Sequence, residues 1–526
     1  MVSNLENPNW WKSALIYHVY PLTFNDTNGD GVGDLQGIIE KIPYIKSLSA
    51  DCLYLNPIFK TGMVDNGYDI IDPFAIDPRF GTIEDFQRLR DTCWQNDMHL
   101  MIDLVPGHTS DQHPYFQASC DRQHPDHATY RDWYIWADAH SENDGVPNNW
   151  VSYFNGSAWE YSATRNQYYL HQFAINQPNL NLHNEGVQQY LCDIFEFWAK
   201  KDVHIRLDAV GFMSDDQYLQ DLKIRTDNVI PDGFHHDSEL AKFELTHLNR
   251  PESKIFMEKL RTIADRYNTI MLAEVVAADD SMRIGRSYNF SGSGVPRSHL
   301  VYTGSNLREE PLDYSATKEL LVNIQSYFSK GGLCQVSGNH DFQRMASRLF
   351  PETNDPHASV NYTRFISGLP GPYMHYYGDE LGLRQTNVVD EIEDVDWAGR
   401  DGCRSPMPWL ADAPNGGFTA AGVKPFLPVD PNFSDYAVDL QELDLESHLA
   451  RIRAVFLERM NSSALQKGDF QVLQLPEPLV GYVRSSEEES LACLFNTSAH
   501  KYSDSAKGIS LSGYECKLID FGQINI

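Results

Sequence analysis

The sequence predicts a (β/α)8 barrel, of TIM-barrel type, with an inserted subdomain after its third strand and a C-terminal antiparallel β-sandwich. Three observations lead there. Short apolar runs rich in β-branched and aromatic residues end in polar or glycine-containing loops and alternate with amphipathic stretches, the pattern of parallel βα units. Eight such runs lie between Leu15 and Gly378, the strand count of a closed barrel. After about Arg451 the pattern changes to short alternating segments (FQVLQL, LVGYVR, SLACLF, YECKLIDFG) separated by turn residues.

In order, the strands are LIYHVYP from Leu15, CLYLNPIF from Cys52, HLMIDLVP from His99, VHIRLDAV from Val203, TIMLAEVV from Thr269, a weaker run over His299–Thr303, LCQVSGNHD from Leu333 and PYMHYYG from Pro372. Helices read most clearly at NEGVQQYLCDIFEFWAKK from Asn184 and PESKIFMEKLRTIADRY from Pro251. Between the third strand and the helix near Asn184 stretch about 70 residues rich in His, Asp, Asn, Tyr and Trp, far more than a βα loop needs. Val105 to Phe173 is therefore expected to form a subdomain walling one side of a site. The expected division is a barrel of residues 1–104 and 174–450, an insert of 105–173 and a terminal β domain of 451–526.

Composition narrows the function. A hydrophobic content of 42% without low-complexity tracts indicates a folded chain. Lys+Arg 42 against Asp+Glu 73 gives a net charge of -31, which repels phosphate backbones and anionic lipid, so neither nucleic acid nor membrane is an expected partner. The opening MVSNLENPNWWKSALIYHVYP has no basic leader followed by an apolar run, and no charge-free apolar run reaches about 18 residues, so a cytoplasmic location is expected. The cysteines, 8 in number, form no CxxC pair and have no His completing a zinc pattern; free thiols are expected.

Three acidic residues stand at the ends of three separate strands: Asp208 in HIRLDAV, Glu274 in LAEVV and Asp341 in SGNHDF. A barrel brings such residues to one pocket. Two carboxyl groups flanking a sugar acetal split it by double displacement, one attacking the anomeric carbon while the other protonates the departing oxygen. Arg206, two residues before Asp208 on the same strand, points to the same face, where a fixed cation keeps a carboxylate ionised. That makes Asp208 the nucleophile and Glu274 the acid.

The loop Asp26-Thr-Asn28-Gly-Asp30-Gly-Val32-Gly-Asp34 spaces oxygen ligands at alternate positions and includes the glycine of a sharp turn, as hard-cation loops do, although Gly37 stands where a bidentate Glu would fall. A structural Ca2+ or Mg2+ is expected there.

The ordered motifs WWKSALIYHVYPLTFNDTNGDGVGDLQGI, DNGYDIIDPFAIDPRFGT, DLVPGHTS, IRLDAV, AEVV, GNHDF, GLPGPYMHYYGDELGL and GRDGCRSPMPW resemble family 13 of the glycoside hydrolases, the α-amylase family, and within it the α-glucosidase and oligo-1,6-glucosidase group. The resemblance implies Asp208 as nucleophile, Glu274 as general acid/base and Asp341 as a third carboxylate that binds substrate hydroxyls. It implies that His108 and His340 hydrogen-bond the sugar being cleaved and that Asp103 supports the constellation. Asp65 and Arg404 resemble the pair closing the pocket over the non-reducing end, Tyr68 would stack on the sugar ring, and Phe154 would wall the pocket. Ala209 follows the nucleophile where members preferring α-1,6 bonds have Val, which favours α-1,4 substrates. Gly107 and His204-Ile205 depart from the family pattern beside His108 and Arg206, and suggest an unusual substrate preference.

The expected activity is release of α-glucose from the non-reducing end of short α-glucosides. A trehalose-synthase-like isomerase or a transglucosidase is the alternative on the same scaffold, decided by loops such as Asn387 to Asp401. A catalytically silent sugar-binding or transporter-associated relative is the remote one. Oligomeric state is not written in the sequence.

Overall fold

The computed structural model describes residues 4–140, 145–227, 230–235, 237–276, 278, 280–307, 310–353, 355–387, 397–505 and 507–523. Eight parallel strands form one sheet: β1 (Leu15–Val19), β2 (Cys52–Leu55), β3 (His99–Leu104), β4 (His204–Leu207), β5 (Met271–Val275), β6 (Leu300–Thr303), β7 (Gln335–Val336) and β8 (Tyr373–Tyr376). They lie in the order β6-β5-β4-β3-β2-β1-β8-β7. A parallel bridge between Val301 and Leu333, with Cys334 N–H donating to the Val301 carbonyl at 2.7 Å, joins the two ends and closes the barrel. Each expected strand run contains one of these strands; LCQVSGNHD contributes only two residues, because its polar end turns into the site.

The period of two along each strand sorts the side chains into two layers. Leu100, Ile102, Ile205, Leu207, Met271 and Ala273 point outward into the core shared with the surrounding helices. The opposite residues, among them Ile16, Cys52, Tyr54, Met101, Leu272, Leu300, Tyr302 and Met374, fill the barrel interior above Trp10. On the same inward face, toward the carboxyl ends of the strands, the apolar residues give way to Asp103, Arg206 and Glu274, all buried. Polarity thus rises along the barrel axis, and the chemistry is confined to one end.

Helices Glu185–Ala199 and Pro251–Tyr267 cover the expected amphipathic stretches. Asn184 caps the first by accepting from Gly186 N–H, and Pro251 opens the second. Between β3 and Asn184 lies a three-stranded antiparallel sheet of Trp136–Ala137, Gln167–Leu170 and Trp159–Ser162. The C-terminal antiparallel sheet pairs Asp469–Val472, Leu479–Ser485, Ser490–Asn496 and Cys516–Asp520, with a second sheet of Tyr502–Asp504 and Ile509–Leu511. The helix His448–Asn461 runs through Arg451, where the sequence pattern puts the change, so antiparallel structure begins later, at Asp469.

Candidate active site

Asp208 follows β4 directly, and its N–H donates to the Leu104 carbonyl of β3 at 2.9 Å. The next residue, Ala209, takes a left-handed conformation (φ 40, ψ 49), which turns the chain off the strand and aims its N–H back at Glu274 Oε2, 3.0 Å away. Arg206, fully enclosed, holds the centre. Its Nη1 donates to Asp208 Oδ1 at 2.6 Å and to both oxygens of Asp103 at 2.8 Å, while Nη2 reaches Glu274 Oε2 at 2.6 Å and the Tyr302 hydroxyl at 2.7 Å. Tyr302 in turn donates to Glu274 Oε1 at 2.5 Å.

One guanidinium therefore serves three carboxyl groups, Asp103 and Glu274 as well as the Asp208 beside it on the strand. The two carboxylates are gripped by neighbouring nitrogens of one planar group; a retaining double displacement uses a pair about 5 Å apart. Burial pushes the Asp208 carboxyl up to about 7 against the pull of Arg206. Glu274 is raised in the same way to about 7, with the charge of Asp208 adding to the effect, and burial brings Asp103 to about 6. With one cation among three acids, the cluster retains a proton near neutrality.

Asp341 has a different environment. Burial works against its charge, but His340, Arg400 and Arg404 hold its carboxyl well below the usual range. Arg400 Nη1 lies 3.1 Å and Arg404 Nη2 3.3 Å from Asp341 Oδ1, and His340 Nε2 lies 3.2 Å from Oδ2. His340 is fixed by hydrogen bonds to the Tyr68 hydroxyl (2.8 Å) and to the Asn56 side chain (3.1 Å). Tyr68 lies parallel to the His340 ring at 5.4 Å and donates to Asp103 Oδ2 at 2.9 Å. His108, whose pKa burial lowers to about 4, contacts the Tyr68 carbonyl at 3.2 Å and the Gln177 amide at 3.1 Å.

The pair at the far wall is Asp65 with Arg400, not Arg404. Arg400 Nη2 meets Asp65 Oδ1 at 2.8 Å, while the guanidinium lies over the Phe154 ring at 4.8 Å. Arg404 donates through Nε to the His340 carbonyl at 2.7 Å and reaches Asp401 and Asp341 at 3.3 Å, behind the pocket surface. The two arginines stand four residues apart in GRDGCRSPMPW, and Trp397–Cys403 forms a 3-10 turn, so spacing alone cannot say which one faces Asp65. Residues 388–396 of the loop Asn387 to Asp401 lie outside the described residues.

Asp65, Tyr68, His108, Phe154, Asp208, Glu274, His340, Asp341 and Arg400 line one pocket of about 530 Å³ including its mouth, together with Tyr153, Phe173, Ala209, His235, Val276 and Phe342. His204 is not among them. Its Nε2 pairs with His99 Nδ1 at 3.0 Å against the Trp10 ring, at the opposite end of β4, so it belongs to the barrel floor. A side chain at Gly107 would meet the Phe212 carbonyl only at 3.5 Å, so the position has room and no contact with substrate follows from it. Arg400, Tyr302, Asn56 and Gln177 are site residues that sequence reasoning missed; for Tyr302 the signal was present, since it is two residues beyond Leu300 on an inward strand face.

The Asp26–Asp34 loop is shaped by its own hydrogen bonds. Asp26 accepts from the amides of Asn28, Gly29 and Gly31 (3.1, 2.7 and 2.8 Å), Asp30 from Val32 N–H (2.8 Å), and Asp34 from Thr27 N–H (2.8 Å) and Gly37 N–H (2.6 Å), capping the helix Leu35–Ser47. Among the described residues no group of three His, Cys, Asp or Glu is arranged to hold a metal. The donors themselves, Asp26, Asn28, Asp30, Asp34 and the Val32 carbonyl, are all oxygen, the chemistry a hard cation takes.

The sequence matches the family described as alpha amylase, catalytic domain, over residues 18–468. It is 36% identical to a probable alpha-glucosidase of Rhizobium meliloti (strain 1021), across 94% of this chain and 91% of that protein. It is 31% identical to an oligo-1,6-glucosidase of Heyndrickxia coagulans, across 94% and 93%. The solved structure of an alpha-glucosyl transfer enzyme superposes with a TM-score of 0.90 at 34% identity, covering 97% of this chain and 99% of that one.

Proposed function

As a member of the α-amylase family this chain is a glycoside hydrolase of α-glucosidase type, and we propose that it works as a retaining, exo-acting enzyme on short α-glucosides, α-1,4 linkages preferred. The observation that carries this reading is the single Arg206 guanidinium binding Asp208 and Glu274 at 2.6 Å each.

In the proposed reaction Asp208 attacks the anomeric carbon while protonated Glu274 delivers its proton to the glycosidic oxygen, and the bond to the aglycone breaks. Glu274, now a carboxylate, takes a proton from water, which attacks the same carbon and releases Asp208. Two inversions leave the α-anomer. Asp341, fixed as an anion by Arg400 and Arg404, and His108 and His340 bind hydroxyls of the glucose being transferred. The Asp65–Arg400 pair blocks the pocket beyond the non-reducing end, which supports removal of one terminal unit. Ala209 supports α-1,4 linkage through the room it leaves. A Ca2+ or Mg2+ held by Asp26, Asn28, Asp30, the Val32 carbonyl and Asp34 has a structural part only in this reading. No described helix is long and apolar enough to cross a membrane; a cytoplasmic setting is proposed on the sequence alone.

The likeness to an alpha-glucosyl transfer enzyme favours a second reading in which a sugar or alcohol replaces water in the second step. Proton NMR of the enzyme acting on maltose separates the two. Each maltose cleaved also frees its reducing-end glucose in that unit's own anomeric mixture. An initial excess of the α-anomer over that mixture therefore supports hydrolysis with retention, and an excess of the β-anomer rejects the double displacement. Longer sugars formed with one glucose freed per transfer support transfer, and trehalose without net glucose supports isomerisation. Asp208→Asn should bind maltose and turn it over at least about a thousandfold more slowly.

A further inference from the structure

The two oxygens of Glu274 have unlike neighbours. Oε2 accepts from Ala209 N–H at 3.0 Å and lies 2.6 Å from Arg206 Nη2, so it faces a backbone amide and a fixed cation. Oε1 accepts from the Tyr302 hydroxyl at 2.5 Å. Arg206 decides which way that hydroxyl points, because its Nη2 donates to the phenol oxygen at 2.7 Å. A phenol that accepts from a guanidinium still has its one hydrogen to give, and Glu274 Oε1 is the acceptor beside it.

The strands bring the two residues together. Glu274 on β5 pairs in register with Tyr302 on β6, and Arg206 on β4 pairs with Leu272, two residues before Glu274. The Tyr302 ring is 1% exposed and packs in the barrel interior with Leu272, Leu300 and Phe342, so its hydroxyl is held at one height. Tyr302 is not one of the residues that line the pocket, and it meets substrate only through Glu274. Burial pushes its phenol well above the ordinary range, so it keeps its own proton. A proton on Glu274 Oε2 would be crowded by the guanidinium and amide hydrogens, whereas Oε1 has a lone pair that Tyr302 leaves free.

We propose that Tyr302 is the positioning residue of the acid step: its hydroxyl, aimed by Arg206, holds Glu274 so that the proton delivered to the glycosidic oxygen is carried on the free lone pair of Oε1. This rests on the double displacement proposed above, with Glu274 as its acid. In that step the Glu274 O–H bond breaks as the proton binds the glycosidic oxygen. The bond from that oxygen to the anomeric carbon breaks, its electron pair staying on oxygen, and the bond from Asp208 to the carbon forms. The Tyr302 hydrogen does not move.

The charged and titratable groups around Glu274 are Arg206 on β4, Asp208 at its end, Asp103 on β3, Tyr302 on β6, Asp341 after β7 and His235 in the pocket wall. A donor to the ionised carboxylate favours that form, so loss of the Tyr302 hydroxyl raises the Glu274 pKa.

The test is Tyr302→Phe, which keeps the ring and removes the hydroxyl. Values of kcat/KM for maltose and for α-glucosyl fluoride are followed from about pH 5 to about pH 9, with the parent enzyme and Glu274→Gln in parallel. Fluoride leaves without a proton, so its kcat/KM reports the attack of Asp208 and omits the acid. Tyr302→Phe should lower kcat/KM for maltose at least about tenfold and for the fluoride less than about twofold, and the alkaline limb on maltose should move to higher pH. Losses on the two donors within about a factor of two of each other, or an alkaline limb that stays or moves lower, overturn the positioning role. Lost packing would act on both donors alike, and the ratio within one protein is insensitive to the folded fraction. Should Tyr302→Phe not fold, 3-fluorotyrosine introduced at Tyr302 keeps the hydroxyl as a stronger donor and should move the limb to lower pH; an unmoved limb overturns the role. A Glu274→Gln enzyme undiminished on maltose overturns the acid assignment and the Tyr302 role with it. Loss on maltose with the fluoride retained in Glu274→Gln, beside a Tyr302→Phe enzyme that does not separate the donors, overturns the Tyr302 role by itself.

Discussion

Arg400 joins Asp65 to Asp341: one nitrogen of its guanidinium is 2.8 Å from the first carboxylate and the other 3.1 Å from the second, with the Arg400 side chain 6% exposed. Removing one partner of a buried pair leaves the other charged and unpaired. Arg400→Ala and Asp65→Ala are each expected to lower kcat/KM on maltose on the order of 100-fold. The double variant should be little worse than either single one. Fully additive losses in that cycle would show that the two residues act independently.

The raised carboxyls set the pH response. Glu274 must be protonated to act as acid, and its pKa stands at about 7, so kcat/KM on maltose should fall above about pH 7, tenfold per pH unit. With α-glucosyl fluoride, whose leaving group needs no proton, the alkaline fall in kcat/KM should disappear. The same shifts act on stability. A carboxyl with a folded pKa above its unfolded one binds more protons in the native state between the two values. The contribution of Asp208 and Glu274 is therefore lost as pH rises from about 4 to about 7 and flat beyond. Denaturant unfolding should show that fall, reduced in Glu274→Gln; an unchanged slope in the variant would remove Glu274 from the account.

Ala209 combines a left-handed backbone with a place in the pocket wall. Ala209→Val adds a β-branched side chain where such residues are least tolerated, and it fills the aglycone side. The melting temperature should drop, and maltose turnover should fall about tenfold while isomaltose turnover changes less than about twofold. Equal losses on both disaccharides would separate this residue from linkage choice.

The Asp26–Asp34 loop gives a measurement independent of turnover. Protein stripped with chelator should gain thermal stability on adding millimolar Ca2+ or Mg2+, as any ligand of the native state confers, and Asp30→Ala should abolish the gain. No shift with either ion would leave the loop as a turn held by its own amide bonds.

Much of this was legible in the linear sequence for a physical reason. Inward strand residues recur every second position, so Arg206, Asp208 and Glu274 could be placed on one face before any coordinates. The barrel strands were legible because they are buried on both faces and read as apolar runs. Arg400 was not, because it lies in a 3-10 turn where no simple period fixes direction. The reach of Arg206 to three carboxylates was hidden as well, since pairing across strands depends on register. His204 misled: its residue type suggested the site, but its position, two residues earlier on the strand, places it on the floor against Trp10.

The wall made by Asp65 and Arg400 also governs traffic. In the proposed exo-acting mode that wall leaves the pocket one opening for entry and discharge, and the freed glucose, held deepest, would leave only after the aglycone has gone. On that reading a long glucan would not be threaded past the catalytic carboxylates and advanced by one residue; it would let go after every cut. Such an enzyme works by repeated encounters, and its rate on a chain follows the number of ends in solution and not the mass of polymer.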